Sequence, residues 1–158
     1  MTKNDLLKQI EKLSHDPIWK CYTRAALQIR WQEFTADAIG VIYCDIDRMH
    51  ELNALYTHSG VDAKISRVIN STRKDSANRK GDIIASRYLN GDELIFIVKS
   101  GNVREFAERL LNDFANSGIS ATFSYTTKIK NTPEKTINPL DKKVQSSKNN
   151  GTRGVILD

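Results

Sequence analysis

"SRYLNGDELIFIV", Ser86 to Val98, is the stretch on which the fold turns. Asn90-Gly91 lies between two β-prone segments, and both residue types accept the positive φ of a type I′ turn. The pair predicts the tip of a hairpin. Residues 83–89 run in and residues 93–99 run out. Asp92 and Glu93 stand at the mouth of the second strand, directly against Leu94, Ile95, Phe96, Ile97 and Val98. Successive strand residues point to opposite faces, so one of the two acids is expected at any given site.

A second segment repeats the arrangement. "AIGVIYC", residues 38–44, is apolar throughout and runs into Asp45-Ile46-Asp47. Such a run suits a strand buried on both sides of a sheet. Asp45 and Asp47 would share a face, with Ile46 opposite. If the two strands are neighbours, Asp45 and Asp92 converge. Converging carboxylates repel unless a cation joins them, and carboxylates, backbone carbonyls and water are the ligand set of Mg²⁺. The competing reading is a pair of surface strand ends whose acids meet Lys or Arg.

Composition narrows the class. The chain has 158 residues, 39% hydrophobic and 27% charged, which fits one ordinary folded domain over residues 1–158. No apolar run is long enough to span a membrane and no signal pattern opens the chain, so a cytoplasmic location without a membrane partner is the expectation. Cys21 and Cys44 have no metal-type spacing and read as buried free thiols. The net charge of +5 and pI of about 9.2 permit a polyanionic partner. Lys128, Lys130, Lys135, Lys142, Lys143, Lys148 and Arg153 crowd the last quarter. Solvated lysines are the default reading of such a group; triphosphates or nucleic acid are the functional one.

Helical spacing predicts helices over residues 2–14, 24–34, 49–56, 62–72 and 140–148. The cleanest is carried by Val103, Phe106, Ala107, Leu110, Leu111 and Phe114. Strands are expected at 119–129 and 154–157, with a polar loop over 131–139. The result is an α+β, ferredoxin-like βαββαβ core with extra N-terminal helices and a small αβ appendage. Its antiparallel sheet would be covered by helices on one face.

An acid after the first strand and more acids at the central hairpin give this core the layout of a polymerase or cyclase palm. Four ordered pieces carry a closer resemblance. "HDPIWKCYTRAAL" (residues 15–27) is similar to HDPLTGLPNRRxL. "DIDRMHELNALYTHSGVD" (45–62) is similar to DIDxFKxxNDxxGHxxGD, with Asp45, Asp47, Asn53, His58 and Asp62 in register. "NGDEL" (90–94) stands where GGDEF would. "DKKVQSSKNNGTRGVIL" (141–157) resembles DxALYxAKxxGRNRV through Asp141, Lys148 and Gly151. Over nearly its whole length the chain resembles the GGDEF nucleotidyl cyclases and the related palm domain of CRISPR-associated cyclic-oligonucleotide polymerases. Within that superfamily it is most like a stand-alone minimal CRISPR polymerase.

The resemblance implies a Mg²⁺-dependent (or Mn²⁺-dependent) nucleotidyltransferase. It would condense two nucleoside triphosphates into a cyclic dinucleotide second messenger and release pyrophosphate. Asp45, the carbonyl of Ile46 and Asp92 would hold the metal, and Glu93 would support the metals or the attacking hydroxyl. Lys148 would contact phosphates. Met49 opens a helix whose N–H groups could receive them, and His50 replaces a phosphate-contacting Lys. Asn53 and Asp62 would face the base, with Asn90 and Gly91 close to the nucleotide. Each protomer would hold one triphosphate, which implies a homodimer. No stable nucleic-acid partner is expected.

Several positions depart from the family pattern: Asn90 for Gly, Leu94 for Phe, Thr57 for Gly, and Thr152 for an Arg that Arg153 could replace. Arg79 and Asp82 resemble an RxxD inhibitory site, but the spacer to the turn is longer and they read as turn residues. Asp62 accepts hydrogen bonds only, which suits guanine. A solitary palm and altered glycine positions resemble the minimal polymerases, associated with anti-phage signalling and adenine cyclic dinucleotides. ATP is therefore the favoured substrate, with cyclic di-GMP synthesis from GTP as the alternative. A catalytically silent nucleotide receptor is a further reading. So is an RNA-binding domain, which would need Tyr88, Phe96, Phe123 and Tyr125 exposed for stacking.

Overall fold

The computed structural model describes residues 1–74, 83–89 and 91–158. Asn90, the tip of the expected turn, and Arg79 with Asp82 lie outside the described residues. In chain order the elements are α1 (Lys3–Ser14), α2 (Arg24–Ile29), α3 (Trp31–Thr35), β1 (Gly40–Ile46), α4 (Met49–Tyr56), α5 (His58–Lys74), β2 (Ile83–Arg87) and β3 (Glu93–Val98). They continue with α6 (Val103–Asn116), β4 (Ala121–Thr126), α7 (Pro133–Asn149) and β5 (Ile156–Leu157).

The strands form one sheet in the order β2-β3-β1-β4-β5. Every neighbouring pair is antiparallel except β4 and β5, which are parallel. This is the α+β, βαββαβ arrangement with β1 at its centre. All seven residues of β1 are buried, as an unbroken apolar run requires.

Alternation divides the core in two. Ile42, Cys44 and Ile46 join Val61, Ile65 and Ile69 of α5 and Phe106, Leu110 and Phe114 of α6. Val41 and Tyr43 point the other way, to Leu27, Trp31 and Phe34 of α2 and α3 and to Ile137, Leu140 and Val144 of α7. Helices therefore cover both faces, not one. A strand apolar on both sides needs two covers, and the second comes largely from a helix longer than its sequence suggests. The expected loop over 131–139 is in fact the first part of α7. Thr132 caps it by accepting the Lys135 N–H, Pro133 occupies its first turn, and Pro139 lies inside it. An interior proline costs a helix about 3 kcal/mol. Burying Ile137, Leu140 and Val144 returns roughly 1.5–3 kcal/mol each and outweighs it.

Other bounds shift less. The helix expected from Asp62 starts at His58, the one expected over 24–34 breaks at Arg30, and the last strand shortens to two residues. Residues 15–22 lie along the outer edge of β2, where Tyr22 N–H donates to the Ala85 carbonyl and Arg87 N–H to that of Tyr22. Cys21 and Cys44 are buried and are not joined in a disulfide. Among the described residues no helix is long and apolar enough to cross a membrane. Tyr88, Phe96 and Phe123 are buried, and the Tyr125 hydroxyl donates to Asp158, so the stacking surface of an RNA-binding sheet does not form.

Candidate active site

The end of β1 carries the acids. Asp45 lies on the α7 side of the sheet, and its direct cross-strand neighbour on β3 is Glu93. Asp92 is one residue outside that pair, and its carbonyl accepts the Ile46 N–H at 3.0 Å. The hairpin thus brings Asp92 and Glu93 to the end of β1. Of the two, Glu93 shares the face of Asp45, while Asp92 sits on the turn beyond.

Lys148 enters this cluster from the last turn of α7. Its Nζ is 3.2 Å from Asp45 Oδ2, 2.8 Å from Asp47 Oδ1 and 3.4 Å from the Ile46 carbonyl. Gln145, one turn earlier, donates to Asp45 Oδ2 at 3.0 Å and to Asp141 Oδ1 at 3.1 Å. The Tyr43 hydroxyl also donates to Asp141 Oδ1. Asp47 occupies a socket of its own. It accepts from Ser120 Oγ at 2.6 Å, Thr122 Oγ1 at 2.8 Å and the Gly154 N–H at 3.1 Å. Gln145, Asp141 and this socket were not singled out for roles from sequence. The two hydroxyls Ser120 and Thr122, at alternate positions at the start of β4, are the local trace from which it could have been read.

The electrostatics separate these acids. Burial pushes the Asp45 carboxyl up, and Lys148 and Gln145 only partly offset it. Burial, then repulsion from Asp45, raises Asp92 and Glu93 as well. Asp47 goes the other way. Burial opposes its charge, but hydrogen bonds from Lys148, Ser120 and Thr122 hold it below the usual carboxylate range. The nearer contact of Lys148 is to Asp47, so Asp45 keeps an incompletely compensated charge.

These residues fit a divalent ion. Glu93 Oε2 is buried with no hydrogen-bond partner, an orphaned acceptor beside a repelling carboxylate. Among the described residues no three acidic, His or Cys side chains are grouped to hold a metal by themselves. Mg²⁺ commonly takes one or two carboxylates and fills its shell with waters and substrate phosphates. Asp45, Asp92 and the Ile46 carbonyl are donors of those types at the end of β1.

The remaining predicted residues lie on α4, on α5 and beside the hairpin, and no hydrogen bond or ion pair among the described residues joins them to Asp45, Glu93 or Lys148. Met49 opens α4 and packs on the core, and His50 beside it is exposed. Arg48 precedes them in a left-handed conformation, with no side-chain cap on the helix. A cavity of about 210 Å³ lies against this corner, lined by Asp47, Arg48, Leu52, Ser120 and Arg153 among others. Asn53 is half-buried on α4. Asp62, on α5, accepts the Trp19 indole N–H at 2.8 Å. Gly91 offers its carbonyl to Arg87 Nη2 at 2.8 Å.

The sequence profile described as "Diguanylate cyclase, GGDEF domain" matches residues 20–153. The chain belongs to the GGDEF family. That is a family of nucleotidyl cyclases, enzymes that join nucleotides and release pyrophosphate. None of the curated proteins compared matches the sequence.

Solved GGDEF domains share the fold. One is a microbial GGDEF domain interacting with bis-(3′,5′)-cyclic di-GMP, at TM-score 0.73 and 14% identity, with 92% of this chain covering 98% of that one. DgcB from Caulobacter crescentus, its coiled coil and GGDEF domain in complex with c-di-GMP, gives 0.69 at 17% identity over 97% and 90%. The diguanylate cyclase SiaD from Pseudomonas aeruginosa, in complex with its activator SiaC, gives 0.64 at 18% identity, with 98% of this chain covering 65% of that chain. This chain therefore spans just under two thirds of SiaD.

Proposed function

We propose that this GGDEF domain joins two nucleoside triphosphates into a cyclic dinucleotide in a divalent-metal-dependent reaction. The observation that carries the reading is the cluster of Asp45, Glu93, Asp92 and the Ile46 carbonyl, met by Lys148 at the end of β1. A bound Mg²⁺ or Mn²⁺ would lower the pKa of a ribose hydroxyl and neutralise triphosphate charge. Asp45, the Ile46 carbonyl and Asp92 would hold it.

The chain's own groups do the rest. Lys148 moves from its carboxylates to the phosphates as they arrive. Arg48, Arg153 and the first N–H groups of α4 receive the negative charge beside the cavity. Glu93, with its unpartnered oxygen, orients the attacking hydroxyl or takes its proton. The hydroxyl oxygen bonds to the α-phosphorus of the other nucleotide, the α–β bridging bond breaks, and pyrophosphate leaves. Asn53 and Asp62 face the base. Two protomers, each holding one triphosphate, come together for the two bonds that close the ring, which makes the working form a homodimer.

ATP is the preferred substrate in this reading, and a second-messenger role in antiviral defence follows from the resemblance to the minimal polymerases. Synthesis of cyclic di-GMP from GTP is the second reading, favoured by the description of the matching family. Purified protein is incubated with Mg²⁺ and ATP, GTP or both, and products are identified by mass spectrometry. A cyclic adenine dinucleotide is expected. A cyclic product from GTP alone replaces the first reading with the second. No product, or full turnover after Asp45→Ala, removes both.

A further inference from the structure

Gln145 is an exposed residue of α7, yet its amide NH₂ group is engaged by two acids. Nε2 donates to Asp45 Oδ2 at 3.0 Å and to Asp141 Oδ1 at 3.1 Å. Both partners are carboxylate oxygens, which accept, so the NH₂ end of the amide and not its carbonyl faces them. Asp141 is held from a second side, because the Tyr43 hydroxyl donates to the same Oδ1 at 2.9 Å. Tyr43 is 1% exposed and stands two residues before Asp45, on the same face of β1. Tyr43, Asp141, Gln145 and Asp45 thus close a circuit that ties α7 to β1 at two points. Gln145 follows Asp141 by four residues and precedes Lys148 by three, so the three side chains form one stripe of α7 at the end of β1.

We propose that Gln145 is a positioning residue that fixes the Asp45 carboxylate as a ligand for the divalent ion. This rests on the reading of Asp45 as a metal ligand given above. Asp45 Oδ2 meets two donors, Gln145 and Lys148, and among the described residues Oδ1 meets none. The two donors differ in kind. Lys148 is a cation that competes with an incoming ion and leaves for the phosphates. Gln145 is neutral, so it neither repels the ion nor follows the phosphates. It is the contact that still sets the plane of the carboxylate once Lys148 has gone. A ligating carboxylate held by such a neighbour has less freedom to lose when the ion arrives. The pattern that this segment resembles, DxALYxAK, has Tyr in the place of Gln145. A hydroxyl donates one hydrogen and an amide NH₂ two. The bridge between Asp45 and Asp141 therefore belongs to the residue of this chain.

The test counts free Mn²⁺ by electron paramagnetic resonance in titrations of the full chain. The chain is titrated alone and with α,β-methylene analogues of ATP or GTP, and uptake by the analogue itself is subtracted. Wild type is compared with Gln145→Met, Gln145→Ala and Asp45→Ala. Met keeps the length and the helix propensity of Gln and removes both N–H groups. Gln145→Met should bind Mn²⁺ about tenfold more weakly than wild type, and Gln145→Ala no better than Met. The Mg²⁺ concentration for half-maximal turnover should rise by about the same factor, while nucleotide KM at saturating Mg²⁺ stays within about twofold. A contact that only braced α7 would lower the melting temperature and leave Mn²⁺ affinity alone.

Mn²⁺ affinity within about threefold of wild type in the Gln145 variants overturns the proposal. If Met does not fold at this position, Ala carries the same comparison. When Asp45→Ala loses the ion in that experiment, the cyclase reading stands without the proposal. A metal requirement and a nucleotide KM that worsen by equal factors also overturn it, since Gln145 would then act on the nucleotide and not through Asp45. Asp45→Ala holding Mn²⁺ as tightly as wild type, or wild type taking up none, removes the ligand reading and the proposal together.

Discussion

The Lys148 ammonium lies 2.8 Å from Asp47 Oδ1 and is held within a cluster of acids rather than out in solvent. It also touches Asp45 Oδ2 and the Ile46 carbonyl, the groups expected to ligate a divalent ion. Lys148 thus supplies part of the positive charge that these carboxylates require. Removing one partner of a buried pair leaves the other uncompensated. Lys148→Ala should lower stability by about 3 kcal/mol. For a domain of this size that is a fall of roughly 6–12 °C in melting temperature. Millimolar Mg²⁺ should recover more of it than in wild type, because the ion then replaces the missing cation. A variant that melts no earlier, or that Mg²⁺ does not help, counts against the arrangement.

Asp92 illustrates the opposite sign. Its carboxyl is raised by burial and by Asp45, so the folded protein releases this proton at higher pH than the unfolded chain. The cost to stability is absent below the unfolded pKa of about 4, grows as pH rises and is fully present above the folded pKa. Asp92→Asn should therefore melt higher than wild type at pH 7 in the absence of metal, with the difference closing towards pH 4. The same variant should lose at least about a hundredfold in turnover. Thermal melts at the two pH values and a pyrophosphate-release assay check both halves. An Asn variant that is less stable at pH 7 would mean that Asp92 is already compensated.

Much of this was legible in the sequence. The buried strand 40–46 and the pairing of β2 with β3 rest on local signals, apolar runs on either side of a short break, and α6 on helical spacing. Burial on both faces was likewise implicit in the unbroken apolar run of β1. The second cover went unread because Pro139 looked like a loop residue and hid the start of α7. The contacts that shape the site have no local signal. Lys148 reaches Ile46 across 102 positions and Trp19 reaches Asp62 across 43. Such pairs depend on how α7 and the opening segment dock, which neither periodicity nor turn chemistry specifies.

Thr57 closes α4 with φ +69° and ψ 161°. That region is essentially reserved for glycine and costs a β-branched residue of order 1–3 kcal/mol. The family pattern has Gly here. Thr57 Oγ1 accepts the Gly60 N–H at 3.2 Å, a helix-capping contact at the start of α5. Replacing such a cap by Gly costs only a few tenths of a kcal/mol. Relief of strain wins, so Thr57→Gly should stabilise the domain by about 1 kcal/mol, whereas Thr57→Ala keeps the strain, loses the cap and should destabilise it. Chemical denaturation of the two variants separates these signs. Destabilisation by Gly would show that the hydroxyl contact outweighs the backbone.

Arg87 ties three parts of the chain that local structure does not connect. Its guanidinium pairs with Asp16 in the opening turn, donates to the Gly91 carbonyl across the hairpin mouth and stacks on Trp19. Burial disfavours the Asp16 charge, but bonds from Arg87 and from the Ile18 and Trp19 N–H groups hold its pKa below normal. Arg87→Ala should cost about 2 kcal/mol, the scale of charge-assisted hydrogen bonds. Beyond that loss it should loosen the turn that carries Asp92. The sensitive readout is amide exchange at Ile46, whose N–H donates to the Asp92 carbonyl. Exchange there should quicken by more than the global loss of stability accounts for, and turnover should fall with it. Arg87→Lys keeps the charge but lacks the planar fork that spans Asp16 and Gly91, so it should restore stability only in part and leave Ile46 exchange fast. If Lys restores both, the residue acts as a charge alone and the hairpin is held by something else.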